Sequence, residues 1–193
     1  MAASRLTVAV FCGSRLGQAE AYAAAARSLG HGLAKAGMRL VFGGGRVGLM
    51  GILADAALAA GGAVIGVIPD FLTRRELAHP GVEDMVVTTS MHARKKLMFD
   101  LADAFVTLPG GLGTLDETVE ILTWRQLGLH QKPVLLCDVH AAAAPLHHLI
   151  EAAIAAGFAP AEASGFYEIC PGSEATLARL EAYAARRDPP LRE

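Results

Sequence analysis

The feature that most constrains the fold is a recurring pattern in which a short apolar run ends in glycine and a helix-forming stretch follows. It first appears at 7–12, where TVAVFC leads into Gly13 and then into the alanine-rich stretch 18–36. Short apolar runs bounded by glycine are typical of buried strands. Strands that alternate with helices in this way indicate a parallel sheet with helices on both faces.

The same pattern continues through most of the chain. It predicts further strands at 39–42, 63–68, 83–88, 104–108 and 133–138, and helices at 48–60, from 90 onward, and at 114–127, 141–156 and 175–186. No internal repeat or low-complexity linker divides the 193 residues. We therefore expect a single three-layer α/β domain over residues 1–186, followed by a frayed tail at 187–193.

Charge and cysteine content narrow the class of protein. A formal net charge of −2 gives no general attraction to nucleic acid. The first residues lead directly into a strand instead of a signal peptide, and no apolar run approaches the roughly 18 residues of a membrane span. Three widely spaced cysteines fit buried apolar positions better than a disulfide framework. These features predict a cytoplasmic protein without a nucleic-acid or membrane partner.

Glycine clusters follow three of the predicted strands, at 13–14, 43–45 and 110–111. In an open parallel sheet, ligands bind at the carboxyl ends of the strands. We therefore expect the active site to lie among these three clusters.

The strongest single motif is PGGLGTLDE at 109–117, where a strand hands over to a helix. Exposed backbone N–H groups at a helix N-terminus form an anion site, and phosphate is the natural guest. The motif lacks the spacing and the lysine of a triphosphate-binding P-loop. Thr114 and Glu117 also fit a capping box, which is the structural alternative. Asp116, Glu117 and Glu120 place three carboxylates near this predicted phosphate site. Their number favours a ligand role for at least one of them, either at the ribose hydroxyls or at the positive charge that develops on the sugar ring.

A second motif, SMHARKK at 90–96, opens another helix with Ser90 as its N-cap. Helical spacing places Arg94 on the interior stripe, together with Met91, Met98 and Leu101. An arginine on that side requires an anionic partner. A solvated basic helix face is the alternative for Arg94 and the expected position of Lys96.

The third motif, GGGRVG at 43–48, contains the G-x-G-x-x-G spacing of a dinucleotide site. Two features count against a dinucleotide site. The motif follows the second strand instead of the first, and Pro69 separates the acidic Asp70 from the end of the next strand. The alternative is that these glycines let the backbone approach the nucleotide held by the later loop. The seven histidines show no metal-ligand spacing and no lysine lies in a Schiff-base context, so we predict no metal and no cofactor.

Four segments of this chain, taken together and in their order along the sequence, resemble the LONELY GUY (LOG) family of cytokinin-activating phosphoribohydrolases. Members of this family are often labelled possible lysine decarboxylases. The segments are FCGS at 11–14, GGGRVGLMG at 43–51, SMHARK at 90–95 and PGGLGT with Glu117 at 109–117. The resemblance implies a Rossmann-like fold and a homodimer. It also implies hydrolysis of the N-glycosidic bond of AMP or its N6-modified derivatives, with release of the base and ribose 5-phosphate.

Site residues carry over with the motifs. The resemblance implies that Arg94 and Glu117 form the catalytic pair, and that the phosphate is held by Gly110, Gly111, Gly113 and Thr114. The rest of the predicted nucleotide site comprises Glu76, Lys95, Thr123, Asp116, Gly13, Ser14, Gly44 and Met91, with Glu76 in a stretch that matches only loosely. Arg15 and Asp116 depart from the family pattern, in which many members have Ser and Glu. We expect these two differences to alter affinity without removing the chemistry.

Two other functions remain open at the level of sequence. Related folds include molybdenum-cofactor carriers and nucleotide sensors, which bind without turnover. A dinucleotide-dependent enzyme that uses the glycines at 43–48 is the third hypothesis. The natural base, whether adenine or isopentenyladenine, depends on the shape of the pocket.

Overall fold

A computed structural model of the protein describes residues 6–73 and 77–187, in which seven strands alternate with α-helices. Its strands are β1 (Thr7–Phe11), β2 (Arg39–Phe42), β3 (Val64–Pro69), β4 (Asp84–Thr88), β5 (Ala104–Thr107), β6 (Val134–Asp138) and β7 (Glu168–Pro171). Its α-helices are α1 (Glu20–Lys35), α2 (Gly48–Ala59), α3 (Asp70–Thr73), α4 (Met91–Leu101), α5 (Leu112–Gln126), α6 (Ala144–Ala155) and α7 (Gly172–Arg187).

All the strand pairings are parallel, and the sheet order is β4-β3-β2-β1-β5-β6-β7. The order reverses between β1 and β5, so the loops after these two strands diverge to opposite sides. Such a switch point opens a crevice at the carboxyl edge of the sheet, where ligands of doubly wound folds bind. The predicted Rossmann-like fold is confirmed.

Two cores form because consecutive residues of each buried strand face opposite sides of the sheet. In β1, Val8 and Val10 pack with α1, α2 and α7 through Leu29, Leu53 and Leu180. Ala9 and Phe11 pack on the other face with α4, α5 and α6 through Met98, Ile121 and Leu146. Burial on both faces explains why the central strands are continuously apolar.

Several element boundaries differ from the sequence prediction. Helix α5 begins at Leu112 instead of 114, and α6 begins at Ala144 instead of 141 because His140 and Ala141 have positive φ angles of 54° and 56°. Strand β7, helix α3 and a 3₁₀ helix at Ala161–Gly165 were not predicted. Strand β7 escaped because it is an edge strand that buries only Cys170, so it carries no apolar run.

The predicted N-cap of α4 and the predicted burial of the cysteines are confirmed. The Ser90 side chain accepts a hydrogen bond from Ala93 N–H at the start of α4. The three cysteines are free and buried. No helix in the described part of the chain is both long and apolar enough to span a membrane. Of the predicted tail, Arg187 ends α7 and residues 188–193 lie outside the described residues.

Candidate active site

The three glycine clusters meet around a cavity of about 310 Å³ at the carboxyl edge of the sheet. The loops after β1 and β2 form one side, and the N-terminal turns of α4 and α5 form the other. Charged side chains from two helices enter this cavity, Arg94 from α4 and Glu117 from α5. The predicted clusters at 13–14, 43–45 and 110–111 therefore converge in space.

Arg94 and Glu117 form a buried ion pair in this cavity. Only 8% of Arg94 and 7% of Glu117 are exposed, and Arg94 Nη2 lies 3.4 Å from Glu117 Oε1. Neither Arg94 Nε nor Glu117 Oε1 forms a hydrogen bond within the described part of the chain. Buried polar atoms are ordinarily hydrogen-bonded, so each of these two atoms retains unused hydrogen-bonding capacity.

The Glu117 carboxyl group has an unusual environment. Burial raises its pKa, and nearby Asp116 and Glu120 raise it further, whereas Arg94 and Lys95 lower it. A raised pKa in a cleft is typical of carboxylates used in acid, base or electrostatic catalysis.

Close packing around Arg94 explains the glycine at position 43. A Cβ atom on Gly43 would overlap Arg94 Nη2 and crowd the Met50 sulfur. Arg94 Nη1 also donates to the sulfur of Met91 at 3.7 Å. The absence of a side chain at position 43 therefore leaves space for the guanidinium group. This role of Gly43 was not predicted from the 43–48 motif.

The glycines of the loop after β5 have different roles. Gly110 packs against Thr114, whose Oγ1 would overlap a Cβ atom at position 110. Around Gly111 and Gly113 there is open space, so a ligand can approach the backbone closely. Thr118 fixes the loop to the sheet because its hydroxyl donates to Thr114 C=O at 2.7 Å and lies 2.8 Å from Thr107 Oγ1.

The capping-box alternative for Thr114 and Glu117 is contradicted. Helix α5 begins at Leu112 with Gly111 as its N-cap, and no side chain bonds to that cap. Thr114 and Glu117 are instead buried within the helix and line the cavity. Neither side chain therefore caps the helix, although the spacing of the two residues in the sequence is compatible with a capping box.

Some predicted nucleotide-binding residues lie beside the cavity instead of lining it. Lys95 connects α4 to α5, with its Nζ 3.0 Å from Asp116 Oδ2 and 3.2 Å from Glu120 Oε2. Burial lowers the pKa of Lys95, but the two carboxylates outweigh this effect and raise it. Thr123 is exposed and donates to Val119 C=O at 2.8 Å. Glu76 lies outside the described residues.

The remaining predicted residues lie close to the glycine loop. Ser14 and Met91 line the cavity. Gly13 lines a neighbouring cleft of about 580 Å³ on the other side of the loop, together with Ser14 and Arg15. Gly44, with φ of 71°, packs beneath the cavity against Ile68 and Met85.

The sequence interpretation missed the apolar wall of the cavity. This wall is built from Cys12, Val47, Met50, Ile68, Leu72 and Leu77. These residues come from four separate segments, so no local spacing joins them. The position of Cys12 directly after β1 was the one available signal.

A Rossmann-like sheet with a charged pocket at its switch point places the protein among the ligand-binding α/β proteins of doubly wound topology. The family model described as "Possible lysine decarboxylase" matches residues 50–180. The cytokinin riboside 5′-monophosphate phosphoribohydrolase of Rhodococcoides fascians is 44% identical over 177 residues, 91% of this chain and 89% of its own. An Arabidopsis thaliana protein of the same name is 39% identical over 181 residues, 94% of this chain and 85% of its own. The chain thus belongs to the LOG family.

Solved structures extend the likeness of the fold. The molybdenum cofactor carrier protein of Chlamydomonas reinhardtii superposes with a TM-score of 0.73 and 22% identity, covering 94% of this chain and 99% of its own. DNA processing protein A of Helicobacter pylori superposes with a TM-score of 0.60 and 18% identity, covering 93% and 82%. At these identities the likeness concerns the fold alone.

Proposed function

We propose that this protein hydrolyses the N-glycosidic bond of adenosine 5′-monophosphates, including N6-modified ones, to a free base and ribose 5-phosphate. The observation that carries the proposal is the buried Arg94–Glu117 pair, which lines the same cavity as the N-terminus of α5. Family membership supports it, because relatives at 39–44% identity bear the name of this activity.

The phosphate end of the cavity is the start of α5. Open space around Gly111 and Gly113 leaves the backbone accessible, and the helix dipole favours a negative charge there. The buried Thr114 hydroxyl lines the same region. These groups would hold the 5′-phosphate and so fix the position of C1′ relative to Glu117.

The reaction at C1′ breaks the bond to the base nitrogen and forms a bond to a water oxygen. The bonding electrons leave with the base, which takes up a proton, and the attacking water loses one. The sugar acquires oxocarbenium character between these events. Glu117, as a carboxylate, would stabilise that positive charge or accept the proton of the water.

Arg94 would act at the same bond. Its guanidinium group pairs with Glu117, donates to the Met91 sulfur and occupies the space where a Cβ atom on Gly43 would lie. Because Arg94 lies beside Glu117, we assign it to the ionised state of that carboxylate and to the departing base.

The base would contact the apolar wall. Ile68, Leu72, Leu77 and Met50 offer nonpolar surface, as expected for a purine site. AMP and isopentenyl-AMP are therefore the substrates to compare.

Assembly and location complete the proposal. Leu112, Leu115 and Val119 form an exposed apolar stripe on α5 at helical spacing, with Leu112 86% exposed. We propose that this stripe is the contact of a homodimer. Trp124, on the same helix, packs on Phe99 of α4 with ring centroids 4.8 Å apart. The cytoplasm remains the proposed location.

Product analysis tests the proposed function. The purified protein is incubated with AMP, isopentenyl-AMP and, as a matched control without phosphate, adenosine, and the products are separated by chromatography. We expect free base and ribose 5-phosphate from the two nucleotides and no cleavage of adenosine. Bound but unchanged nucleotide would instead support the sensor or carrier hypothesis, and adenosine plus phosphate from AMP would contradict glycosidic cleavage.

A further inference from the structure

A short segment, residues 77–79, closes the apolar wall of the active-site cavity. It pairs with the loop after β2, where Arg46 N–H donates to Leu77 C=O and His79 N–H donates to Gly44 C=O, both at 2.9 Å. An isolated antiparallel bridge lies between these two bonds. The pairing places Leu77 in the lining of the cavity that contains Arg94.

The side chain of His79 anchors this segment to helix α2. The residue is buried, with its Nε2 atom 3.1 Å from Oδ1 of Asp55 on α2. Its Nδ1 lies 3.2 Å from Gly81 N, which donates to it. Because Nδ1 accepts this bond, the ring hydrogen belongs on Nε2, which donates to Asp55. The ring also meets Phe42 edge-on, with centroids 6.4 Å apart.

We propose that the Asp55–His79 pair is a positioning device for the base of the nucleotide, an inference that rests on the proposed function. His79 and Asp55 do not line the cavity; they hold the 77–79 segment at a fixed depth against the loop that follows β2. Leu77 then presents its side chain to the base at the correct distance. Both are therefore positioning residues and not catalytic ones.

The position of the segment predicts which kinetic constant the pair controls. Leu77 lies in the apolar wall, whereas the proposed phosphate site is at the start of α5 and the reacting pair is Arg94 with Glu117. Loosening the anchor should weaken binding of the base without disturbing the reacting groups. It should also leave binding of ribose 5-phosphate unchanged, because this product lacks a base.

The test variant is Asp55→Ala, which removes the acceptor for His79 from an aspartate whose side chain is 73% exposed. Asp55→Asn is the conservative variant, because its amide oxygen still accepts from Nε2–H. Glu181→Ala is the matched control, since it removes one exposed carboxylate from α7 on another part of the surface. His79→Asn is a second route, because its side chain can accept from Gly81 N–H but is too short for Asp55.

The expected result is a split between constants. In Asp55→Ala and His79→Asn, the KM for AMP rises about 5- to 10-fold, which lies within the range for one lost hydrogen bond, while kcat stays within about twofold. The inhibition constant of ribose 5-phosphate does not change. Asp55→Asn and Glu181→Ala behave as the parent does.

Three results would overturn the inference. One is an unchanged KM in both Asp55→Ala and His79→Asn, and another is a fall in kcat at constant KM. The third is an equal weakening of AMP and ribose 5-phosphate, which indicates general loosening of the site.

Calorimetric titration with AMP separates this inference from the proposed function. If the parent binds AMP without cleaving it, the proposed function fails, and the positioning role is decided by whether Asp55→Ala weakens AMP binding 5- to 10-fold. A parent that neither binds nor cleaves AMP overturns both.

Discussion

At the scale of single residues, the proposed hydrolysis depends on the ionisation of Glu117. Burial raises the pKa of its carboxyl group, and the neighbouring charges act in both directions, with Asp116 raising the pKa and Lys95 lowering it. If the carboxylate is the active form, activity is present above this pKa and is lost as the pH falls through it.

The acid limb of kcat/KM should therefore lie above about 4.3, the value for an unperturbed glutamate. Asp116→Asn removes a negative neighbour and should move the limb to lower pH, whereas Lys95→Gln removes a positive neighbour and should move it to higher pH. The measurement is the pH profile of kcat/KM for AMP, with Lys96→Gln as control, because Lys96 pairs with Asp100 on the exposed face of α4. Shifts of the same sign in the first two variants would contradict the assignment of the limb to Glu117.

At the scale of elements, the site depends on how closely the loop after β2 approaches helix α4. Gly43 directly follows β2 and lies against the guanidinium group of Arg94, where a Cβ atom has no space. The tight contact means that the loop and the helix must keep their separation for Arg94 to reach Glu117.

Gly43→Ala should displace the guanidinium group and lower kcat/KM by about 100-fold, since an error of about 1 Å at a reacting group has effects of that size. Gly165→Ala is the matched control, because a Cβ atom there meets open space and the glycine has no positive φ. Steady-state kinetics on AMP and thermal unfolding should be measured on both. Full activity in a folded Gly43→Ala protein would show that the position of Arg94 is not critical.

At the scale of the whole molecule, the exposed stripe on α5 predicts assembly. Leu115→Glu places a charge in the middle of the proposed contact and should yield a monomer of 20.1 kDa, whereas the parent should show twice this mass. Leu149→Glu, at another exposed leucine on α6, should remain a dimer. Sedimentation equilibrium measures these masses. A monomeric parent, or a dimeric Leu115→Glu protein, would contradict the proposed interface.

Sequence reasoning succeeded where a feature is local and periodic. Alternating strands and helices predicted the sheet, and the stripe containing Arg94 predicted its burial, because both follow from the period of one element. Strand β7 was not predicted, because this edge strand has no apolar run. The predicted start of α5 was wrong, because Gly111 and not Thr114 is the N-cap of the helix.

Features that depend on contacts between distant segments could not be predicted in the same way. The room that Gly43 leaves for Arg94 joins residues 51 positions apart, and the Asp55–His79 pair joins residues 24 positions apart. The sequence offered alternatives for the glycines at 43–48, and only the packed structure shows the contact with Arg94. The Lys95 bridge to Asp116 and Glu120 likewise required both helices to be in place.

The role of the Glu117 carboxylate is tested by comparing the parent with Glu117→Gln on AMP, with both kcat and the AMP dissociation constant measured. The variant keeps the size of the side chain and removes its charge, so kcat should fall about 10²- to 10⁴-fold while AMP still binds. Glu181→Gln, the same change on the exposed face of α7, should retain full activity. Free base released by Glu117→Gln at the rate of the parent would contradict the role of this carboxylate in glycosidic hydrolysis.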